Sequence, residues 1–370
     1  MEITTLIWRH WFTACSMFKR NKFPGLINYF MGVLDLLSPG KKARADVRNL
    51  QIEITNKCNL SCKHCFRDKD ARGLDININD LRKVMNCFKN ASTVWLVGNG
   101  EPLMHSEIKE IISYFNSINV HLWIFTNLNI NSDALIKMLV EKRVYQLHIS
   151  IDALNKSLSE SIRVGGDIEL VINNIKKINQ LKRKNNTVYP ELVLNFVAMK
   201  DNIGELDFIS DFAIENNFKR ICVIKLRDGG KNTLYFKRQE LLGSLLEEKA
   251  KHIIENAREK LAKKRVDFTL DDGIFSDKRY CMPNTATRGR FLSERNCMIP
   301  WTKLSVDLLG DIYPGCCTKF QPFGNISKDN IKDIWSSPKY ELLREIAMQM
   351  KLRDCLKCAG IFNEKIIQIP

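Results

Sequence analysis

The chain has 370 residues, enough to bury a sizeable core as one large domain with an appendage or as two domains. Lys and Arg number 57 against 42 Asp and Glu, a formal +15, yet the excess is scattered. The short clusters at Lys41-Lys42-Ala43-Arg44 and Lys182-Arg183-Lys184 do not make a nucleic-acid arm, so a generally basic surface is expected and nucleic acid is not an expected partner.

Seven of the 12 cysteines fall into two groups with metal-ligand spacing. No signal peptide with an orthodox cleavage site and no apolar run of about eighteen residues is visible. A cytoplasmic, reducing setting is expected, with neither a disulfide scaffold nor a spanning helix.

Residues 1–38 predict one or two helices, in which Ile7, Trp8, Trp11, Phe12, Phe18, Leu26, Ile27, Phe30, Leu34 and Leu36 are interrupted by Arg9, Lys19, Arg20 and Lys22. Such a mixture suits an interfacial helix in peripheral membrane contact. The favoured reading is an N-terminal helical pair docked on the main domain. Residues 40–44 read as a linker.

From residue 50, short apolar strands alternate with longer helical patterns, which predicts βα units around a parallel sheet. The strands fall at 50–54, 94–97, 120–125, 146–151, 192–198 and 221–226, and the helices near 78–89, 106–118, 132–141, 167–181 and 203–216. Six such repeats make an incomplete barrel, and functional loops gather at the carboxyl ends of parallel strands. Lys237–Lys264 predicts a long charged helix bridging to the C-terminal region. The expected division is 1–48, a helical extension; 49–236, the barrel; 237–296, a bridging helix and linker; and 297–370, a small cysteine-rich domain.

The first strand runs into Cys58, Cys62 and Cys65. Four thiolates usually hold an iron–sulfur cube, so three clustered cysteines predict a [4Fe–4S] cluster with one open iron. The competing reading is a zinc knuckle with His64 as fourth ligand, disfavoured because neighbouring positions on one short loop would strain a tetrahedral site. The C-x3-C-x2-C spacing after a strand resembles the radical S-adenosylmethionine superfamily. That resemblance implies a partial (β/α)6 TIM-like barrel whose open side admits substrate. It also implies that S-adenosylmethionine chelates the open iron, and that an electron from the cluster releases a 5′-deoxyadenosyl radical that abstracts hydrogen. An electron donor such as flavodoxin or ferredoxin is implied as a partner.

Other segments carry the same resemblance. Gly98-Asn99-Gly100-Glu101-Pro102 follows the second strand and resembles the family's Gly-Gly-Glu-Pro turn, with Asn99 where a second small residue is common. It implies that Gly98, Gly100 and Glu101 engage the amino group of S-adenosylmethionine, since glycines allow close approach and a carboxylate complements an ammonium. Taken alone it is an ordinary turn. The fourth strand ends in Ser150-Ile151-Asp152, with Arg163 before Gly165-Gly166. Ser150 is then implied as a ribose or carboxylate contact and Arg163 as a carboxylate clamp. Asp152 reads equally as a helix cap, and Arg163 as a surface charge. His64 is implied as an adenine contact. Thr126, Asn127 and Asn195 are polar candidates on the same rim.

The second group holds Cys297, the adjacent Cys316 and Cys317, Cys355 and Cys358, with a hairpin pattern over 304–317. It resembles the superfamily's C-terminal auxiliary-cluster domains, of the SPASM or shorter twitch type. One auxiliary [4Fe–4S] cluster on Cys297, Cys316, Cys355 and Cys358 is implied; Cys317 competes with Cys316, and a zinc ribbon is the alternative for the group taken alone. No catalytic base is singled out, although Asp228, Asp271 and Asp272 lie near the barrel mouth. The expected activity is oxidoreductase chemistry on a small polar molecule such as a sugar, cyclitol or natural-product intermediate. The alternative is a peptide or protein maturase, and a remote third is a zinc-bearing nucleic-acid-binding protein.

Overall fold

The computed structural model describes residues 23–65, 67–70, 72–228, 230, 232–241, 243–271, 298–315 and 321–349. Residues 1–22, and with them half of the predicted N-terminal extension, lie outside the described residues.

The chain builds one ten-stranded sheet in the order β10-β9-β8-β1-β2-β3-β4-β5-β6-β7. Strands β1 (Asn49–Ile52), β2 (Thr93–Leu96), β3 (His121–Thr126), β4 (Gln146–Ser150), β5 (Glu191–Ala198) and β6 (Arg220–Lys225) are the six expected ones. Each pairs in parallel with the next. Alternation sets the layers, because successive side chains point to opposite faces. Leu50, Ile52, Val94, Leu96, Leu122, Ile124, Leu147, Ile149, Leu192 and Leu194 are fully or almost fully buried on one face. They join the apolar sides of α2 (Ile78–Cys87), α3 (Ile108–Ser117), α4 (Asp133–Glu141) and α6 (Ile168–Lys184) in one core. Polar caps fix where those helices start: Asn77, Ser132 and Asp167 each accept a first-turn backbone N–H of α2, α4 and α6. The opposite face lines the inside of a partial barrel.

The sheet extends past the six strands at both edges. The predicted bridge of 237–296 contains β7 (Asp267–Leu270), a seventh parallel strand that pairs with β6 after a sixth crossover through α9 (Glu247–Lys263). The single helix expected over 237–264 is broken between α8 (Thr233–Gln239) and α9, where Gly243 adopts φ +70° and its N–H donates to the Glu247 carboxylate at 2.7 Å. At the other edge β8 (Lys303–Val306) pairs in parallel with β1, and β9 (Asp311–Tyr313) returns antiparallel as the expected hairpin. β10 (Gly324–Asn325) completes that edge.

Helix α1 (Phe23–Leu37) docks largely through polar groups. From residue 27 onward its buried side chains are Tyr29 and two polar ones, Asn28 and Asp35, while Ile27, Phe30, Leu34 and Leu37 are exposed. The polar pair satisfies backbone groups: Asn28 accepts from Asp46 N at 2.7 Å, and Asp35 accepts from Arg44 N and Ala45 N at about 3.0 Å. The expected linker is thereby fixed in place. Buried Arg344 on α11 (Pro338–Gln349) secures it further, donating to the carbonyls of Lys41, Pro300 and Trp335. Trp301 and Trp335 donate to the Gly40 and Ala45 carbonyls.

Candidate functional site

The cysteine loop leaves the carboxyl end of β1, and the loops after β2, β3 and β4 close around it. Backbone and side-chain N–H groups point at all three sulfurs. Leu60 N donates to Cys58 Sγ at 3.5 Å, Arg67 N to Cys65 Sγ at 3.4 Å, Asn127 Nδ2 to Cys58 Sγ at 3.9 Å and Arg163 Nη1 to Cys62 Sγ at 4.0 Å. Burial raises the Cys58 and Cys62 thiols, so they are protonated until a metal displaces the proton. N–H donors favour the thiolate and tune a cluster bound to it. A three-thiol donor set surrounded in this way fits an iron–sulfur cube. His64, the fourth ligand of the zinc-knuckle reading, has its Nε2 3.8 Å from Asp152 Oδ2.

The two glycines of the turn after β2 owe their size to packing. A Cβ on Gly98 would sit 2.4 Å from Glu53 Cγ, and one on Gly100 would sit 2.2 Å from the Thr55 carbonyl oxygen. The turn can lie against the cysteine loop only without side chains there, and Glu101 N then donates to Lys57 O at 2.8 Å. Asn99, the departure from the family pattern, gives its N–H to Glu53 at 2.7 Å.

Glu101 is 2% exposed. One carboxylate oxygen accepts from Leu103 N at 3.1 Å and the other from Asn127 N at 2.6 Å, which joins the second strand's exit to the third's. Burial pushes its carboxyl up to about 7 against these donors. The Arg163 charge acts in the same direction as these donors, and no ion-pair partner of Glu101 lies within salt-bridge distance among the described residues.

Ser150, Arg163, Asn127 and Leu60 line one small recess beside the loop. Arg163 closes α5 (Lys156–Ile162), and its Nη2 lies 2.7 Å from Asp152 Oδ2. Its guanidinium is therefore already engaged by a carboxylate of the protein and by Cys62.

Asp152 is the residue that sequence reasoning undervalued. Its wholly buried carboxylate receives Val197 N at 2.8 Å and faces both Arg163 and His64, while its carbonyl receives Asn202 Nδ2. His64 does not present an ionisable edge to solvent, and burial lowers its pKa to about 4. Asn232 was missed as well: its amide donates to the His64 carbonyl at 2.7 Å across 168 residues of sequence. Of the base candidates, Asp228 receives Gly230 N and Thr233 Oγ1 in an exposed turn, and buried Asp271 receives Lys225 N. Cys297, Cys316, Cys355 and Cys358 lie outside the described residues, as do Cys281, Cys317 and Asp272.

Comparison with known proteins accords with this geometry. The radical SAM superfamily matches residues 52–211, and SPASM, an iron–sulfur cluster-binding domain, matches residues 297–359. A probable GTP 3′,8-cyclase of Methanocaldococcus jannaschii is 32% identical over 175 residues, 45% of this chain and 55% of that protein. The chain thus spans about half the length of that relative. The tungsten-containing aldehyde ferredoxin oxidoreductase cofactor-modifying protein of Pyrococcus furiosus is 21% identical over 346 residues, covering 85% of this chain and 87% of that protein. Streptococcus suis SuiB bound to S-adenosylmethionine superposes with a TM-score of 0.65 at 19% identity, over 88% of this chain and 74% of its own. With the two matched domains come a [4Fe–4S] cluster that works with S-adenosylmethionine and an auxiliary cluster. This chain belongs to the radical SAM superfamily and carries a SPASM iron–sulfur cluster-binding domain.

Proposed function

We propose that Cys58, Cys62 and Cys65 hold the cluster at which S-adenosylmethionine is cleaved, and that the enzyme removes a hydrogen atom from an organic substrate seated in the barrel. The observation that carries this reading is the set of N–H groups directed at the three sulfurs from the loop itself, from β3's exit and from Arg163. When bound, the cluster and S-adenosylmethionine supply a single electron and a 5′-deoxyadenosyl radical. The chain's own part is positional. Glu101 receives the cofactor's amino group, Gly98 and Gly100 let the turn approach, Ser150 and Asn127 offer polar atoms in the recess, and His64 walls the adenine side. Arg163 acts on the cluster's Cys62 and, through its spare donors, on the cofactor carboxylate. Cys297, Cys316, Cys355 and Cys358 are assigned to the auxiliary cluster.

The preferred substrate reading is a small polar biosynthetic molecule that is oxidised. A peptide substrate is the second reading, supported by the shared fold with SuiB, which has been seen bound to its precursor peptide SuiA. Anaerobic reconstitution tests the site: two [4Fe–4S] clusters give about eight irons per chain. Two zinc ions with no visible charge-transfer absorption would overturn it. Turnover of small molecules against peptides separates the substrate readings.

A further inference from the structure

On the barrel's inner face the strands present an aromatic ladder. Trp95 of β2 and Trp123 of β3 are register partners whose rings stack with centroids 5.1 Å apart and planes 6° apart. Trp123 stacks next on His148 of β4 at 5.3 Å and 22°, and Phe125 stacks on His148, its own register partner, at 4.1 Å and 18°. Lys303 Nζ sits over the ring of Trp95, 4.0 Å from its centroid.

The stacking distance of the tryptophans is close to the spacing between neighbouring strands, roughly 4.8 Å. Their planes therefore stand across the sheet like books on a shelf, and the ring edges, not the faces, turn into the barrel. Aromatic edges are electropositive, and an indole edge carries an N–H. Nε1 of Trp95 and Nε1 of Trp123 are both buried and have no acceptor among the described residues. An unmet buried donor is costly, so a partner for it is worth more than in water. The ammonium over Trp95 draws density from that ring and strengthens its N–H as a donor. His148 closes the row as a neutral imidazole, since burial lowers its pKa to about 3. The ladder lies one layer, roughly 7 Å, below Ser150 and the cofactor recess.

We propose that this ladder is the substrate-recognition wall, and that it takes a flat aromatic or heteroaromatic ring whose π-face or ring acceptors meet the edges of Trp95 and Trp123. The inference rests on the radical reading above for its location, and it adds the chemical class of the substrate. A tyrosine-like side chain and a nucleobase share that chemistry, and the test separates them.

Saturation-transfer NMR on the reconstituted, iron-loaded chain would be run with N-acetyltyrosinamide and guanosine as probes and N-acetylleucinamide and ribose as aliphatic controls. At least one aromatic probe should bind through its ring protons while neither control does, and whichever binds names the source. Trp123→Leu should weaken that probe tenfold or more, and Trp123→Phe, which keeps an edge but loses the N–H, should weaken it less. Iron content and visible absorption equal to wild type show that a variant has folded. Binding by neither aromatic probe, equal binding of the controls, or unchanged affinity in Trp123→Leu would overturn the proposal. Failure to take up iron would instead overturn the cluster assignment, so the two failures are distinguishable.

Discussion

Arg163 Nη2 lies 2.7 Å from Asp152 Oδ2, in a pair whose carboxylate is wholly buried and whose guanidinium side chain is 12% exposed. Removing one partner of such a pair strands a buried charge. Asp152→Ala should therefore lower stability by about 3–5 kcal/mol. Arg163→Met should lower it comparably, and the double variant should fall well short of the sum. Urea denaturation of the four proteins checks this; additive losses would show that the pair is not coupled.

Glu101 yields a pH dependence. Its carboxyl is raised to about 7 by burial, so the neutral form gains ground as pH falls through neutrality. An ammonium needs the carboxylate. S-adenosylmethionine affinity should hold above the raised pKa and fall by up to about tenfold per pH unit below it. Glu101→Gln should bind weakly with a flat profile. Calorimetric titration on the iron-loaded chain reads both, and a sloping profile in the variant would assign the pH effect elsewhere. The sign for folding is separate: with a folded pKa raised from 4.5 to about 7, Glu101 costs stability as pH rises from about 4.5 to about 7, the loss is complete above that, and cofactor binding offsets it.

Gly100→Ala places a Cβ 2.2 Å from a backbone oxygen that cannot rotate away. It should cost about 1–3 kcal/mol and disturb the cysteine loop. Gly204→Ala meets nothing within 4 Å and should be near neutral. Thermal unfolding and iron uptake distinguish the two; a silent Gly100→Ala would mean that the turn yields easily.

The exposed face of α1 was not legible in the sequence, and the reason is physical. Periodicity marks which residues share a side, but here Asn28 and Asp35 dock because they satisfy backbone groups of residues 44–46. The strands β1–β6 were legible as short apolar runs set between longer helical patterns; burial alternates in β1 and β3 but is nearly continuous in β4 and β5. β7 was hidden: its four residues, Asp267–Leu270, follow a charged helix and carry little apolar signal. At the site, spacing marked the cysteine group, and the family resemblance pointed to the glycine turn and Arg163. Neither revealed that Asp152 holds Arg163 and faces His64, or that Asn232 reaches the loop, since those links join residues far apart in the chain.

Buried Arg344 tests the attachment of the C-terminal half. Its three carbonyl partners come from residues 41, 300 and 335, and its guanidinium lies 4.6 Å from the Trp335 ring centroid. Arg344→Met keeps the stem but leaves three carbonyls without their donor, at about 1–3 kcal/mol for each that stays buried and unsatisfied. Limited proteolysis should then cut within residues 38–46 first; an unchanged pattern would show that the segment is held by other contacts.

The three-cysteine loop is proposed to drive cleavage of S-adenosylmethionine. The most direct measurement is chromatographic quantification of 5′-deoxyadenosine after anaerobic incubation of the reconstituted chain with S-adenosylmethionine and dithionite. The wild type should give 5′-deoxyadenosine and methionine in equal amounts, and Cys62→Ala background only. Equal yields from the two proteins would contradict it.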